Sequence, residues 1–497
     1  MKHKAFIKNA AILTITSLIL RTVGIFFRVW MADSIGAEGM GLYQLILSVY
    51  VLGSTFATTG ICTAVTRLVS ELPNDSGSIK KVMKRATGLT LIIALASALL
   101  IYLLAVPICR YLLFDMRAVP AIKILVIALP FMGLSSVMRG YFIGMRKTTF
   151  PSIAQLFEQL VRMALIVWLV TLVSPMGLTY TCGAILLGDG LSEAAGCLLL
   201  FIFYKSNARK RSPNAPSTLP VTRKLLHIAV PITAGRYIHT ALRTVENLLV
   251  PLRLGVFSRD RAKSLEQFGM LKGMAMPLLF FPASFLSAFS TLMIPEISEA
   301  VAEGRRLSVQ RATEKSISIT VIASTLIGGI FFICGKEIAQ LMYDSYDTGI
   351  LICALSPLVP FMYLESVCDG ILKGLDQQKH SFYYGIIDSS TRIILIWFIV
   401  ASKGMSGFIL IMVYSNLLTS LLNICRLLKV TETKVNLLSW IIIPLIAVVT
   451  ACAVGYLAML RFASVPLRIA VGGGVASVIY LLVMYFTGQV KLSKSIL

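Results

Sequence analysis

Long stretches of this chain carry no charge at all, and that limits its folds more than any other feature. Between Ala86 and Cys109 every residue is uncharged, and about 20 apolar residues in a helix already cross a bilayer. Apolar runs of similar length, several with a few charges set within them, recur at 6–32, 41–70, 86–113, 119–145, 150–173, 178–204, 225–251, 271–300, 315–341, 350–375, 381–401, 406–428, 438–460 and 466–487. Each is expected to be a helix, because lipid offers backbone groups no hydrogen-bond partners. The reading is an all-α polytopic membrane protein with about 14 transmembrane helices.

Composition supports this. Of 497 residues 57% are apolar and only 14% charged, with a mean hydropathy of +0.83. There is too little polar surface for a soluble enzyme, a disordered chain or a secreted disulfide scaffold. The nine cysteines are scattered through apolar segments without a CxxC pair and read as small buried residues. The four histidines form no HExxH, and there is no phosphate-binding loop. No extramembrane segment is long enough for a glycosyltransferase. The expectation is therefore no enzyme, no catalytic residue, no metal and no bound cofactor.

Lys and Arg outnumber Asp and Glu 46 to 23, for a net charge of +23. In a soluble protein this would point to nucleic acid. Here basic cytoplasmic loops account for most of it, and no nucleic-acid partner is expected. Loops on the side of the N-terminus hold roughly twice as many Lys and Arg as those on the other side, which places both termini in the cytoplasm. The 252–272 loop breaks the pattern: it is basic on the outer side, as an amphipathic segment on anionic lipid would be. The longest polar connector, 205–224, is basic and rich in Pro and Ser, and reads as a cytoplasmic linker.

The chain also repeats itself. At an offset of 230, residues 130–147 align with 360–377. The matches are Pro130/Pro360, Phe131/Phe361, Met132/Met362, Leu134/Leu364, Ser136/Ser366, Val137/Val367, Gly140/Gly370 and Gly144/Gly374, against about two expected by chance. Continued without a gap, the offset sets Glu158 on Asp388 and Arg162 on Arg392. A Leu-Arg-Thr-Val tetrapeptide occurs at Leu20–Val23 and again at Leu242–Val245. The organisation expected is an N-terminal six-helix lobe (1–204), the linker (205–224), a C-terminal six-helix lobe (225–428) and two additional helices (429–497). Parallel repeats of this kind are a transporter design.

Charges inside the spans narrow the function. Each costs about 2.5–3.5 kcal/mol at mid-bilayer, so each needs a partner, a wet cavity or an interface. Glu158–Arg162 and Asp388–Arg392 are acid-then-Arg pairs at i,i+4, either self-neutralising or part of a gate. Glu365, Asp369 and Lys373 share one face, as do Asp189 and Glu193. These acids either pair with arginines of neighbouring helices or couple transport to H⁺, Na⁺ or the membrane potential. Arg21, Arg28, Arg236 and Arg243 lie on the helices that open the two halves, and arginine is the residue for bidentate phosphate contacts. They are the candidate substrate-binding set, for a phosphate-bearing substrate.

Several stretches carry a family likeness: Leu20–Gly24, Ile35–Tyr43, Ala64–Glu71, Val137–Gly144 and Leu156–Arg162. They resemble the polysaccharide-biosynthesis and stage V sporulation protein B-like branch of the multidrug/oligosaccharidyl-lipid/polysaccharide exporter superfamily, which is related to lipid II flippases. The resemblance implies two six-helix lobes plus two C-terminal helices, alternating access, and flipping of a polyprenyl-pyrophosphate-linked saccharide across a bacterial plasma membrane. It implies work in cell-wall, polysaccharide or spore-cortex synthesis, with membrane lipids and cell-wall synthesis proteins as partners. It places Arg21 on a cavity arginine of the family; Arg28 falls one residue out of register with another, and Arg243 is reached through the repeat. It also implies an apolar groove for the prenyl tail along the last two helices. Two other readings stand beside it: a cation-coupled multidrug antiporter of the same superfamily, which would need a more acidic cavity, and a non-transporting membrane scaffold.

Overall fold

In a computed structural model, which describes residues 2–72, 76–209, 221–433 and 436–489, these residues form helices joined by short turns. In chain order the α-helices are α1 (Lys2–Glu71), α2 (Ser76–Pro107), α3 (Ala118–Leu125), α4 (Leu129–Gly144), α5 (Thr149–Val173), α6 (Leu178–Arg209), α7 (Val221–Ser258), α8 (Arg261–Phe268) and α9 (Met276–Phe280). They continue with α10 (Ala283–Ala302), α11 (Arg306–Tyr343), α12 (Tyr346–Leu355), α13 (Val359–Gly374), α14 (Gln378–Leu395), α15 (Ala401–Thr431), α16 (Ile443–Met459) and α17 (Val465–Phe486). The protein is an all-α multi-pass membrane protein: ten helical segments among the described residues are long and apolar enough to cross a bilayer.

Two of those segments hold two expected spans each. Helix α1 covers both 6–32 and 41–70 and breaks only at Gly36, whose φ of 67° and ψ of 177° suit a residue without a Cβ. The run Gln378–Thr431 breaks likewise at Gly404. The span expected at 271–300 is interrupted instead, with a turn at Phe281–Pro282 between α9 and α10. The basic connector falls largely on 210–220, outside the described residues.

The chain divides into two compact units, Met1–Phe27 with Ser34–Leu252, and Arg28–Asp33 with Arg253–Leu497. In the first, Val65, Leu68 and Val69 of α1, Val137, Tyr141 and Phe142 of α4, and Val221, Leu225 and Ala229 of α7 share one apolar cluster. A Cβ on Gly140 would stand 2.7 Å from the Cys62 carbonyl oxygen, so α4 reaches α1 only through that glycine. Helix α7 is tied to α1 as well: Thr244 Oγ1 donates to the Ser48 carbonyl at 3.1 Å and Asn247 Nδ2 to Ser48 Oγ at 3.0 Å. In the second unit the small residues Ala447, Ala451 and Ala476 let α16 and α17 close on Ile333 and Cys334 of α11.

The offset of 230 reappears in the backbone. The 3₁₀ turn Val126–Ala128 leads into α4 as Ser356–Leu358 leads into α13, and both helices end on the matched glycine. Left-handed residues follow the same spacing: Phe114 with Asp344, and Arg146 with Asp376. Each closes a helix end in the manner of a left-handed cap, and the Lys147 and Gln377 amides donate at 2.8 Å to Phe142 and Leu372 carbonyls.

Candidate functional site

The intramembrane charges of the first unit converge on one network. Glu158 of α5 accepts from Arg139 Nη2 of α4 at 2.8 Å and from Arg162 Nη2, one turn along its own helix, at 3.0 Å. Arg162 reaches on to α6, at 3.2 Å from Asp189 Oδ1 and 3.5 Å from Glu193 Oε1. Tyr43 of α1 donates its hydroxyl to Asp189 Oδ2 at 3.2 Å. The Glu158 side chain is only 8% exposed, and Gly196 of α6 leaves the space against which it lies. Four helices thus meet at two arginines and three carboxylates.

The second unit pairs its charges differently. Asp388 and Arg392 approach to 3.7 Å, and Ser415 Oγ of α15 donates to Asp388 Oδ1 at 2.5 Å. Asp369 pairs with Lys373 at 2.5 Å, on a more exposed face, and accepts from Ser381. Glu365 lies half-buried on α13. The structure therefore gathers Glu158 and Arg162 into one site with Asp189 and Glu193, and pairs Asp369 with Lys373 and Asp388 with Arg392.

The candidate anion-binding arginines are differently placed. Arg21, Arg236 and Arg243 are exposed and Arg28 half-buried. On α1, Arg21 and Arg28 are two turns apart and so share a face; the same holds for Arg236 and Arg243 on α7. On the same helix Thr244 and Glu246 are buried. Arg21, Arg236 and Arg243 belong to the first compact unit, and Arg28 to the second.

The pairing of Asp189 and Glu193 with an arginine of a neighbouring helix is one of the two alternatives the sequence offered, whereas Arg139 and Tyr43 gave no sequence signal. A further tie was also unforeseen. Arg117 bridges Glu38 at 2.8 Å and Asp115 at 2.8 Å, and the Asp115 hydrogen bond, with that of Glu38, holds its pKa above the ordinary arginine value.

Residues 6–301 match the polysaccharide biosynthesis protein family. The chain belongs to that family. Among relatives in Bacillus subtilis (strain 168), stage V sporulation protein B is 25% identical over 450 residues, 88% of this chain and 86% of that protein. The lipid II flippase MurJ of the same organism is 22% identical over 424 residues, 78% and 76% of the two chains. A solved lipid II flippase MurJ in an inward closed conformation superposes with a TM-score of 0.74 at 15% identity, covering 96% of this chain and 98% of that one. The lipid II flippases among these relatives are membrane transporters and not enzymes.

Proposed function

We propose that this member of the polysaccharide biosynthesis protein family flips a polyprenyl-pyrophosphate-linked saccharide across a bacterial plasma membrane by alternating access, with both termini in the cytoplasm. The relatives whose names concern sporulation and lipid II support a role in cell-wall or spore-cortex synthesis. The observation that carries the reading is the exposure of Arg21, Arg236 and Arg243 within apolar helices. An arginine facing hydrocarbon there would be costly. Facing water, it forms an anion site, and the guanidinium fork fits a pyrophosphate. Arg28 extends the α1 face by two turns. Glu158, Asp189 and Glu193 already hold arginines. That argues against a cation as the main cargo. In this reading the Glu158–Arg162 network and the Asp388–Arg392 pair, with Glu365 and Asp369, form the gating elements, driven by H⁺, Na⁺ or the membrane potential.

The test is a liposome assay with purified protein, scoring lipid II against a cationic dye. A charged hydrogen bond contributes about 1.5–3 kcal/mol, so Arg21→Ala or Arg243→Ala is expected to weaken substrate binding about 10–150-fold. Arg21→Lys should recover only part, since it keeps the charge and loses the fork. Wild-type flipping in both Ala variants at normal membrane levels would refute the assignment.

A further inference from the structure

A groove of about 1010 Å³ runs through the second unit between α11, α12, α16 and α17. Its volume stands at the upper end of small-molecule sites. Its floor is glycine: Gly328 brings α11 against the Ser356–Leu358 turn and the start of α13, and Gly329 brings it against α16. Along most of its length the walls are apolar, and Phe332 and Val449 are both more than half exposed. One end is different. Where α11 turns into α12 and α16 into α17, the lining becomes Lys336, Glu337, Tyr346 and Arg468.

These side chains are held in place. Lys336 Nζ donates to Tyr346 Oη at 3.0 Å and stands 5.1 Å from the centre of that ring. Arg468 Nε donates to the Phe462 carbonyl at 2.8 Å. Glu337 Oε2 is shielded from solvent and has no hydrogen-bond partner among the described residues. A shielded carboxylate oxygen without a donor is costly. The mouth thus combines two cations with one acceptor that lacks a donor, at the end of an apolar trough open to lipid.

We propose that this groove binds an amine-bearing glycerophospholipid, its phosphate on Lys336 and Arg468, its ammonium on Glu337 and one acyl chain along the α11–α16 trough. Charge complementarity selects this occupant. A phosphate alone satisfies the two cations but sets more negative charge beside Glu337, so a polyprenyl phosphate is disfavoured at the mouth. A quaternary amine carries the positive charge without an N–H to donate. By the loop charges this end faces the outer leaflet. The proposal does not rest on the flippase reading, because it concerns binding within one unit and is measured without transport.

The experiment is lipid titration of the purified full chain by native mass spectrometry, with phosphatidylethanolamine, phosphatidylcholine, phosphatidylglycerol and a polyprenyl phosphate as probes. The ethanolamine lipid is expected to bind about tenfold tighter than the choline lipid, the effect of one charge-assisted hydrogen bond. Glu337→Gln should remove that preference while retaining binding. Lys336→Ala with Arg468→Ala should weaken every phospholipid, and Val449→Trp should do so by filling the trough. Equal binding of the ethanolamine and choline lipids, or tighter binding of phosphatidylglycerol or polyprenyl phosphate, would overturn the proposal. So would a Glu337→Gln protein with the preference intact.

Discussion

Glu158 and Asp388 occupy matching places in the repeat, yet their surroundings differ. Glu158 sits between two arginines, with Asp189 and Glu193 completing the charge around Arg162. Asp388 has Arg392, at a longer 3.7 Å, and a serine hydroxyl. One aligned position differs in the sign of its charge. The offset that sets Glu158 on Asp388 also sets Arg139 on Asp369, so the second unit has a carboxylate where the first has a guanidinium. Asp369 turns instead to Lys373 and Ser381. The repeat therefore keeps the backbone and the i,i+4 pair, while the residue facing it from the preceding helix changes from a guanidinium to a carboxylate.

The sharpest way to break this comparison is to neutralise each acid in turn. Glu158→Gln leaves Arg139 and Arg162 short of a partner inside the membrane, and removing one member of such a buried set costs about 3–5 kcal/mol. Asp388→Asn keeps an acceptor for Ser415 and loses one ion pair, a cost of about 1.5–3 kcal/mol for a hydrogen bond to a charged group. Thermal midpoints in detergent, read by fluorescence-detected size exclusion, should fall further for Glu158→Gln. Equal losses would show that the two sites are energetically alike despite their geometry.

A second comparison concerns the glycines that the repeat aligns. At Gly140 an added methyl would meet the Cys62 backbone carbonyl at 2.7 Å. At Gly370 it would meet the Ser290 hydroxyl, which can rotate away. Overpacking of this kind costs about 1–3 kcal/mol where nothing can yield. Gly140→Ala should lower the midpoint measurably and Gly370→Ala hardly at all. A larger loss at Gly370 would mean that α10 and α13 are the more rigid pair.

How much of this was legible beforehand depended on whether the signal was local. The i,i+4 pairs Glu158–Arg162 and Asp388–Arg392, the repeat at 130–147 and 360–377, and the apolar spans are all written within a few turns of chain. The structure pairs the acids and arginines at 3.0 Å and 3.7 Å. What could not be read was convergence between helices. Arg139 stands 19 residues from Glu158 and Asp189 lies on yet another helix, and no period links them. The break at Phe281–Pro282 was equally hidden, because a proline inside an apolar span is compatible with a mere kink. The four arginines were visible as residues, but their exposure is a property of the fold.

The last prediction rebuilds the first unit's chemistry in the second. If position 369 alone separates the two sites, Asp369→Arg should bring a guanidinium towards Asp388 as Arg139 is brought to Glu158. The loss is small, because Lys373 is half exposed and an exposed ion pair contributes about 1 kcal/mol or less. The gain is a second arginine for a buried carboxylate. The net change in midpoint should therefore be slight, and its sign matters less than its coupling. In a cycle of Asp369→Arg, Asp388→Asn and the double variant, an interaction of about 0.5–3 kcal/mol is expected for residues in contact. Asp388→Asn should consequently hurt more in the Asp369→Arg background than in the wild type. Additive effects would mean that α13 and α14 do not hold the two positions as α4 and α5 do, and the difference between the units would then lie in their packing and not in one side chain.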